Sequence, residues 1–403
     1  MTVIAALLAA LIAVAFLVGE GEEEAETPAP ASVATIARRV EALRDLRFER
    51  IPEPQAVTPE QARREGVSEL DRDYPPERRR ADEEILKLLG LVDPDADLRE
   101  LTASLFGEGV AGYYSPRDGR LRTVSGAVTG TRVLAEMVLA HELTHALEDQ
   151  RFGLDIEGAT ASDDAALARL SLIEGTASSL MYAYVDRHFT AEEAIGGVLG
   201  SAFQDTGDLP PFLQAQTLFP YVGGEQFVRE LQRRAGGRWA VVDTAYRFRM
   251  PTSTEQILHP AAYFDADEPQ RVRIDAGRVL GDGWERAAAG TWGEFQTREL
   301  LAAAGGGGSG AAADGWGGDR YELWRARPIA GEGCAAPCEE ADVLIMRWRW
   351  DTPRDEREFA AKLSTFAAAE LGEREVAVVR RGGIVTLVIA PGRSLAERVA
   401  REA

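Results

Sequence analysis

The chain is short of cysteine. Two of its 403 residues are cysteine, Cys334 and Cys338, in the run CAAPC. A fold held together by a disulfide framework is therefore excluded. A cysteine zinc site is excluded too, because no second cysteine pair or histidine lies nearby. A local Cys334–Cys338 disulfide and two free thiols both fit the spacing. Positive charge is also in deficit: Lys plus Arg number 45 against 66 Asp plus Glu, a net charge of -21. Such a surface repels nucleic acid and anionic lipid head groups, and no nucleic-acid partner is expected. Residues 2–18 form an uncharged apolar run, slightly short of the roughly 20 residues a spanning helix needs. No Lys or Arg precedes Arg38, so the basic flank that orients such segments is missing. Residues 1–19 are expected to be a membrane anchor or signal segment, with the bulk of the chain extracytoplasmic or secreted. Residues 20–31, EGEEEAETPAPA, read as a solvated acidic linker.

Apolar spacing predicts helices over 33–46 and 76–89, then a hairpin over 110–124 with Ser-Pro-Arg-Asp-Gly at its turn. Long helices are predicted over 131–152, ended by Gly153, and from the N-cap Ser162 to His188. Several shorter helices lead to Tyr263. Residues 272–288 read as strands, and Thr291 to Glu294 as a capping box for a short helix. The glycine-rich run at 305–318 reads as a flexible connector. Beyond it the order strand, strand, helix, two strands, helix describes a small α+β unit. The expected fold class is α+β, with one domain over 32–268 and another over 269–403.

Histidine is scarce, and its placement carries the chemistry. Two of four histidines stand in His141-Glu-Leu-Thr-His145. On a helix, positions i and i+4 share a face, so two imidazoles so spaced can hold one Zn²⁺. Glu142 then stands beside the metal, where it can take a proton from water. Leu134 and Val138 continue the histidine stripe, and flanking apolar residues mark the helix as buried. A histidine at position 151 would complete a metzincin pattern, but that residue is arginine. Glu174 is a better third ligand, because it interrupts an apolar stripe of Leu167, Leu170, Ala177 and Met181. A carboxylate there is costly unless paired or metal-bound. An ion pair with Arg169 and ligation by His188 are the competing readings. Gly175, Ala177 and Ser178 are expected to let the two long helices approach closely.

HELTH followed by a helical Glu in an EGTA context resembles the gluzincins, the thermolysin-like zinc metallopeptidases. VAGYYSP, LAHELTHALEDQRF, LIEGTASSL and STEQILHP, in that order, resemble a family of mostly uncharacterised exported bacterial proteins described as metallopeptidases. This likeness spans about residues 109–263. GWGGDRY and WDTPRDEREF resemble the same family's C-terminal unit. The resemblance implies a mainly helical zincin-like catalytic domain with a small edge-strand sheet. It also implies His141, His145 and Glu174 as zinc ligands and Glu142 as the catalytic base. Thermolysin-like enzymes carry an Asp four residues after the ligand Glu, where this chain has Ser178. Asp149 is the candidate to support a zinc-binding histidine instead. For the oxyanion, His259 is the first candidate, with Tyr221, Tyr263 and Tyr114 behind it. Tyr114 also belongs to the strand expected to align an extended peptide.

The expected activity is zinc-dependent hydrolysis of a peptide or protein substrate. A membrane-tethered binding or scaffolding protein with a structural or vestigial zinc site is the first rival. A chance motif without metal is the second. The C-terminal unit shows no catalytic constellation.

Overall fold

The computed structural model describes residues 13–15, 30–104, 110–125, 132–154, 162–194, 209–305, 307–327, 341–372 and 374–403. Cys334 and Cys338, and any bond between them, lie outside the described residues.

The chain opens with β1 (Ala13–Ala15) and α1 (Val33–Arg44), whose N-cap Ser32 accepts from the Thr35 amide. Then come β2 (Gln55–Val57), α2 (Pro59–Asp73), α3 (Pro76–Leu88) and α4 (Leu98–Ser104). α2 is missing from the sequence reading. It begins at a reciprocal capping box of Thr58 and Gln61, with Pro59 in its first turn. Such a start compensates for a mostly polar helix. The hairpin is β3 (Val110–Ser115) and β4 (Arg120–Val124), and the two long helices are α5 (Arg132–Phe152) and α6 (Asp163–His188). Gly153, at φ 71°, ends α5, and the Ser162 side chain caps α6.

The stretch expected to hold several shorter helices is dominated by α7 (Pro211–Arg234), 24 residues long with Pro220 inside it. Short helices α8 (Ala240–Phe248), α9 (Thr254–Leu258), α10 (Pro260–Asp265) and α11 (Ala276–Leu280) follow. So α11 occupies part of the stretch read as strands. β5 (Trp284–Gly290) leads to α12 (Gly293–Ala303), and α13 (Ser309–Ala313) lies within the glycine-rich run read as a connector. The unit closes with β6 (Trp316–Ala326), β7 (Asp342–Trp350), α14 (Pro353–Glu370), β8 (Val376–Arg381), β9 (Ile384–Ile389) and α15 (Arg393–Glu402).

The fold class is α+β. One sheet has the order β1-β3-β4-β2, with β2 parallel to β4. The other, β5-β6-β7-β9-β8, is antiparallel throughout. α5 packs with α1, α6 and the hairpin around Leu143, Leu147, Leu121 and Leu180, all buried. The largest apolar cluster runs from Leu70 and Leu88 through Trp292 to Trp348 and Phe359. The C-terminal sheet therefore shares an apolar cluster with α2 and α3.

The expected membrane anchor needs correction. Among the described residues no helix is long and apolar enough to cross a membrane. Within the apolar run, Ala13–Ala15 is a strand paired antiparallel with β3, Ala13 opposite Tyr113. The rest of residues 1–29 lies outside the described set. Apolar composition alone does not distinguish a short strand from a helix.

Candidate metal centre

The spacing of HELTH does on α5 what helix geometry dictates. His141 Nε2 and His145 Nε2 lie 3.0 Å apart on one face, both fully buried. Glu174 Oε2, from α6, meets them at 3.1 Å and 3.4 Å. An ion with bonds of about 2.0–2.2 Å in tetrahedral array keeps its donors roughly 3.4 Å apart. The three separations are close to that value. Glu174 Oε1 and both imidazole Nδ1 atoms have no hydrogen-bond partner among the described residues. Two imidazoles and a carboxylate, converging from two helices into a buried site, fit Zn²⁺. The partners of Glu174 are the two histidines, and His188 lies tilted against the Tyr184 ring.

Burial would push the Glu174 carboxyl up, but the charge of His145 and hydrogen bonds from both imidazoles draw it down to about 2. His145 is also penalised by burial, yet the Glu174 charge beside it raises it to about 9. His141 goes the other way, lowered by burial. The carboxylate thus stays anionic and the site attracts positive charge.

Two buried carboxylates fix α5 on either side of the histidines. Glu136 accepts from Arg39, Arg132, Tyr184 and the Ala31 amide. Glu148 pairs with Arg44 at 2.9 Å, both wholly buried, and accepts from the Tyr246 hydroxyl at 2.6 Å. Arg44 also lies over the Trp239 ring. Glu142 faces the hairpin, its Oε2 accepting from the Tyr114 amide at 2.8 Å. That bond ties the candidate base to the strand beside it.

Gly175 does not open α6 toward α5, as expected, but toward α7. A Cβ on Gly175 would lie 2.1 Å from the Gly224 carbonyl carbon, and one on Gly224 2.0 Å from the Ser171 oxygen. The two glycines let the backbones of α6 and α7 touch. The next residue along α6 points about 100° round the helix, so Glu174 faces α5 while Gly175 faces α7. Tyr221 lies one turn before Gly224, and its ring stacks on His141 with centroids 6.1 Å apart. Burial, then the nearby Glu174 and Glu142 charges, hold its phenol far above the ordinary value, so it remains a proton donor.

The remaining candidates lie elsewhere. The Tyr114 hydroxyl donates to Asp149 at 2.7 Å, and Asp149 also accepts from the Leu154 amide. Asp149 thus holds Tyr114 rather than a histidine. Tyr263 donates to the Arg249 carbonyl at 2.8 Å and packs on Phe227. His259 pairs with Glu294 at 2.7 Å, away from the triad.

The motifs without an assigned role build the joint to the C-terminal sheet. In STEQILHP, Thr254 donates to the buried Asp164 at 2.6 Å. In GWGGDRY, the Asp319 carboxylate accepts the Trp292 and Gly293 amides at 2.7 Å each. Asp319, not the expected capping box, therefore caps α12. Tyr321 and Arg78 both meet Asp163 in the first turn of α6.

Residues 278–400 match the family model of a domain of unknown function (DUF8575). No curated protein and no solved structure matches the chain.

Proposed function

We propose that the chain is a zinc-dependent peptidase whose centre is His141, His145 and Glu174. One observation carries this reading: three donor atoms from two helices close a triangle of 3.0, 3.1 and 3.4 Å in a buried site. When bound, zinc supplies a Lewis acid and lowers the pKa of a water to about 7. Glu142 takes the proton of the attacking water and returns it to the leaving amine. Its bond to the Tyr114 amide aims the carboxylate. The Tyr221 hydroxyl donates to the developing oxyanion, a role its stacking on His141 supports. β3 is not the free edge expected to align an extended peptide, because β1 pairs with it on one side and β4 on the other. No fourth His, Cys, Asp or Glu joins the triad among the described residues. A structural zinc closed by a fourth protein ligand is therefore less well supported than a catalytic one.

The test is Glu142→Gln. Zinc content is expected to stay at the wild-type level while casein hydrolysis falls by about 10²–10⁴-fold, the usual contribution of a general base. Unchanged hydrolysis would remove Glu142 from the mechanism.

A further inference from the structure

Histidine and carboxylates converge a second time. His259 follows α9, Glu294 sits in the first turn of α12, and Asp314 follows α13 directly. His259 Nε2 lies 2.7 Å from Glu294 Oε1 and 3.8 Å from Asp314 Oδ1. One donor atom from each residue lies within 4.8 Å of the other two. These distances bracket the roughly 3.4 Å between donors of a tetrahedral ion.

A hydrogen-bonded pair would explain His259 and Glu294 alone, but one atom is left over. Glu294 is 1% exposed, and its Oε2 has no hydrogen-bond partner among the described residues. Buried carboxylate oxygens are rarely left bare, because their lost hydration must be replaced. The nearest arginine on the same helix, Arg298, is engaged with Glu299. Around His259 the charges are negative: Glu294, Asp314 and Glu255 all act on it. Asp314 is exposed, so the group has an opening to solvent.

We propose that His259, Glu294 and Asp314 form a second divalent-metal site that clasps the helical part of the chain to the C-terminal sheet unit. One imidazole and two carboxylates suit zinc or a similar first-row ion. His259 stands on the same short segment as Thr254, which bonds Asp164 of α6; Glu294 stands on the helix capped by Asp319 of β6. An ion here adds bonds across a joint otherwise held by hydrogen bonds, packing and the Arg325–Glu84 ion pair. The inference does not depend on the peptidase reading.

The probe is Zn²⁺ alone, added to the full folded chain, with bound metal counted by mass spectrometry and folding checked by circular dichroism. Glu294→Gln is expected to hold one zinc fewer than wild type, whatever number the wild type holds. Asp314→Asn removes an exposed ligand and leaves the His259–Glu294 pair intact. It should weaken the affinity for that ion by at least the roughly 10–100-fold that follows loss of an outer-shell partner. If Glu294→Gln does not fold, Asp314→Asn decides. Equal stoichiometry in Glu294→Gln, or an unaltered zinc titration in Asp314→Asn, overturns the site. Loss of casein hydrolysis in Glu142→Gln bears only on the other centre.

Discussion

The two histidine–carboxylate clusters differ in what holds their donors still. At the centre, all three donors ride on α5 and α6, helices of 21 and 26 residues, and all are buried. Their relative position follows from helix pitch and one helix crossing. At the joint, the donors come from three short elements, and their positions depend on how the C-terminal unit docks. The centre is thus preorganised locally, whereas the second cluster exists only when two parts of the fold meet. Perturbing α5 should therefore damage the first and spare the second.

Glu148→Ala should produce the largest effect. It strips the partner from Arg44, which is wholly buried. Removing one member of a buried ion pair costs about 3–5 kcal/mol. Asp243 still faces Arg44 at 2.7 Å, which favours the lower end. Chemical denaturation gives the cost. Zinc counting should show affinity falling at the centre while the ion on His259 is retained. Equal loss at both would show that the clusters are not independent.

Tyr221→Phe sharpens the contrast through activity. Loss of one oxyanion donor costs about 10²–10³ in rate, or about 2.7–4 kcal/mol. The expected signature is a lower kcat with KM unchanged and both metals kept. A wild-type kcat would remove the hydroxyl from the reaction.

Gly224→Ala tests the crossing itself. Its methyl would meet the Ser171 carbonyl at 2.0 Å, so α7 must move away from α6. Overpacking of this kind costs about 1–3 kcal/mol. Because Tyr221 rides on α7, kcat should fall along with stability. A variant as stable and active as wild type would show that α7 approaches α6 less closely.

The same contrast explains what the sequence disclosed. His141 and His145 were legible because helical periodicity places i and i+4 together, and Glu174 because a carboxylate interrupted an apolar stripe. The succession of strands and helices along the C-terminal unit was legible, whereas their order in the sheet was not. α7 was not, because Pro220 and the Gly223-Gly224 pair look like breaks, whereas the glycines serve the helix crossing. Gly175 was recognised as permitting close approach, but nothing local to it identifies α7 as the neighbour. Asp319 capping α12 from 26 residues away has no local signature either. The same holds for His259 with Glu294, 35 residues apart. N-terminal apolarity misled because three of those residues pair with a strand.

The most gradual effect concerns the joint and its response to pH. Burial raises the Asp319 carboxyl from 3.8 to about 6, against the amides of Trp292 and Gly293 and the Trp316 indole, which pull it down. The folded state therefore binds a proton more tightly than the unfolded chain does. Stability from this group is fully present below pH 3.8 and is lost as pH rises toward about 6, where the folded carboxyl ionises. One proton changes stability by at most about 1.4 kcal/mol per pH unit. Subtracting the pH profile of Asp319→Asn from that of wild type isolates this slope. It should be confined to that window and absent above it. The centre gives the opposite sign for its carboxylate, since Glu174 is held below its ordinary value and favours the ionised fold. A difference profile that rose with pH would mean that the three donors around Asp319 outweigh its burial. The cap on α12 would then be held by charge-assisted bonds, as at the metal centre, rather than by a buried acid.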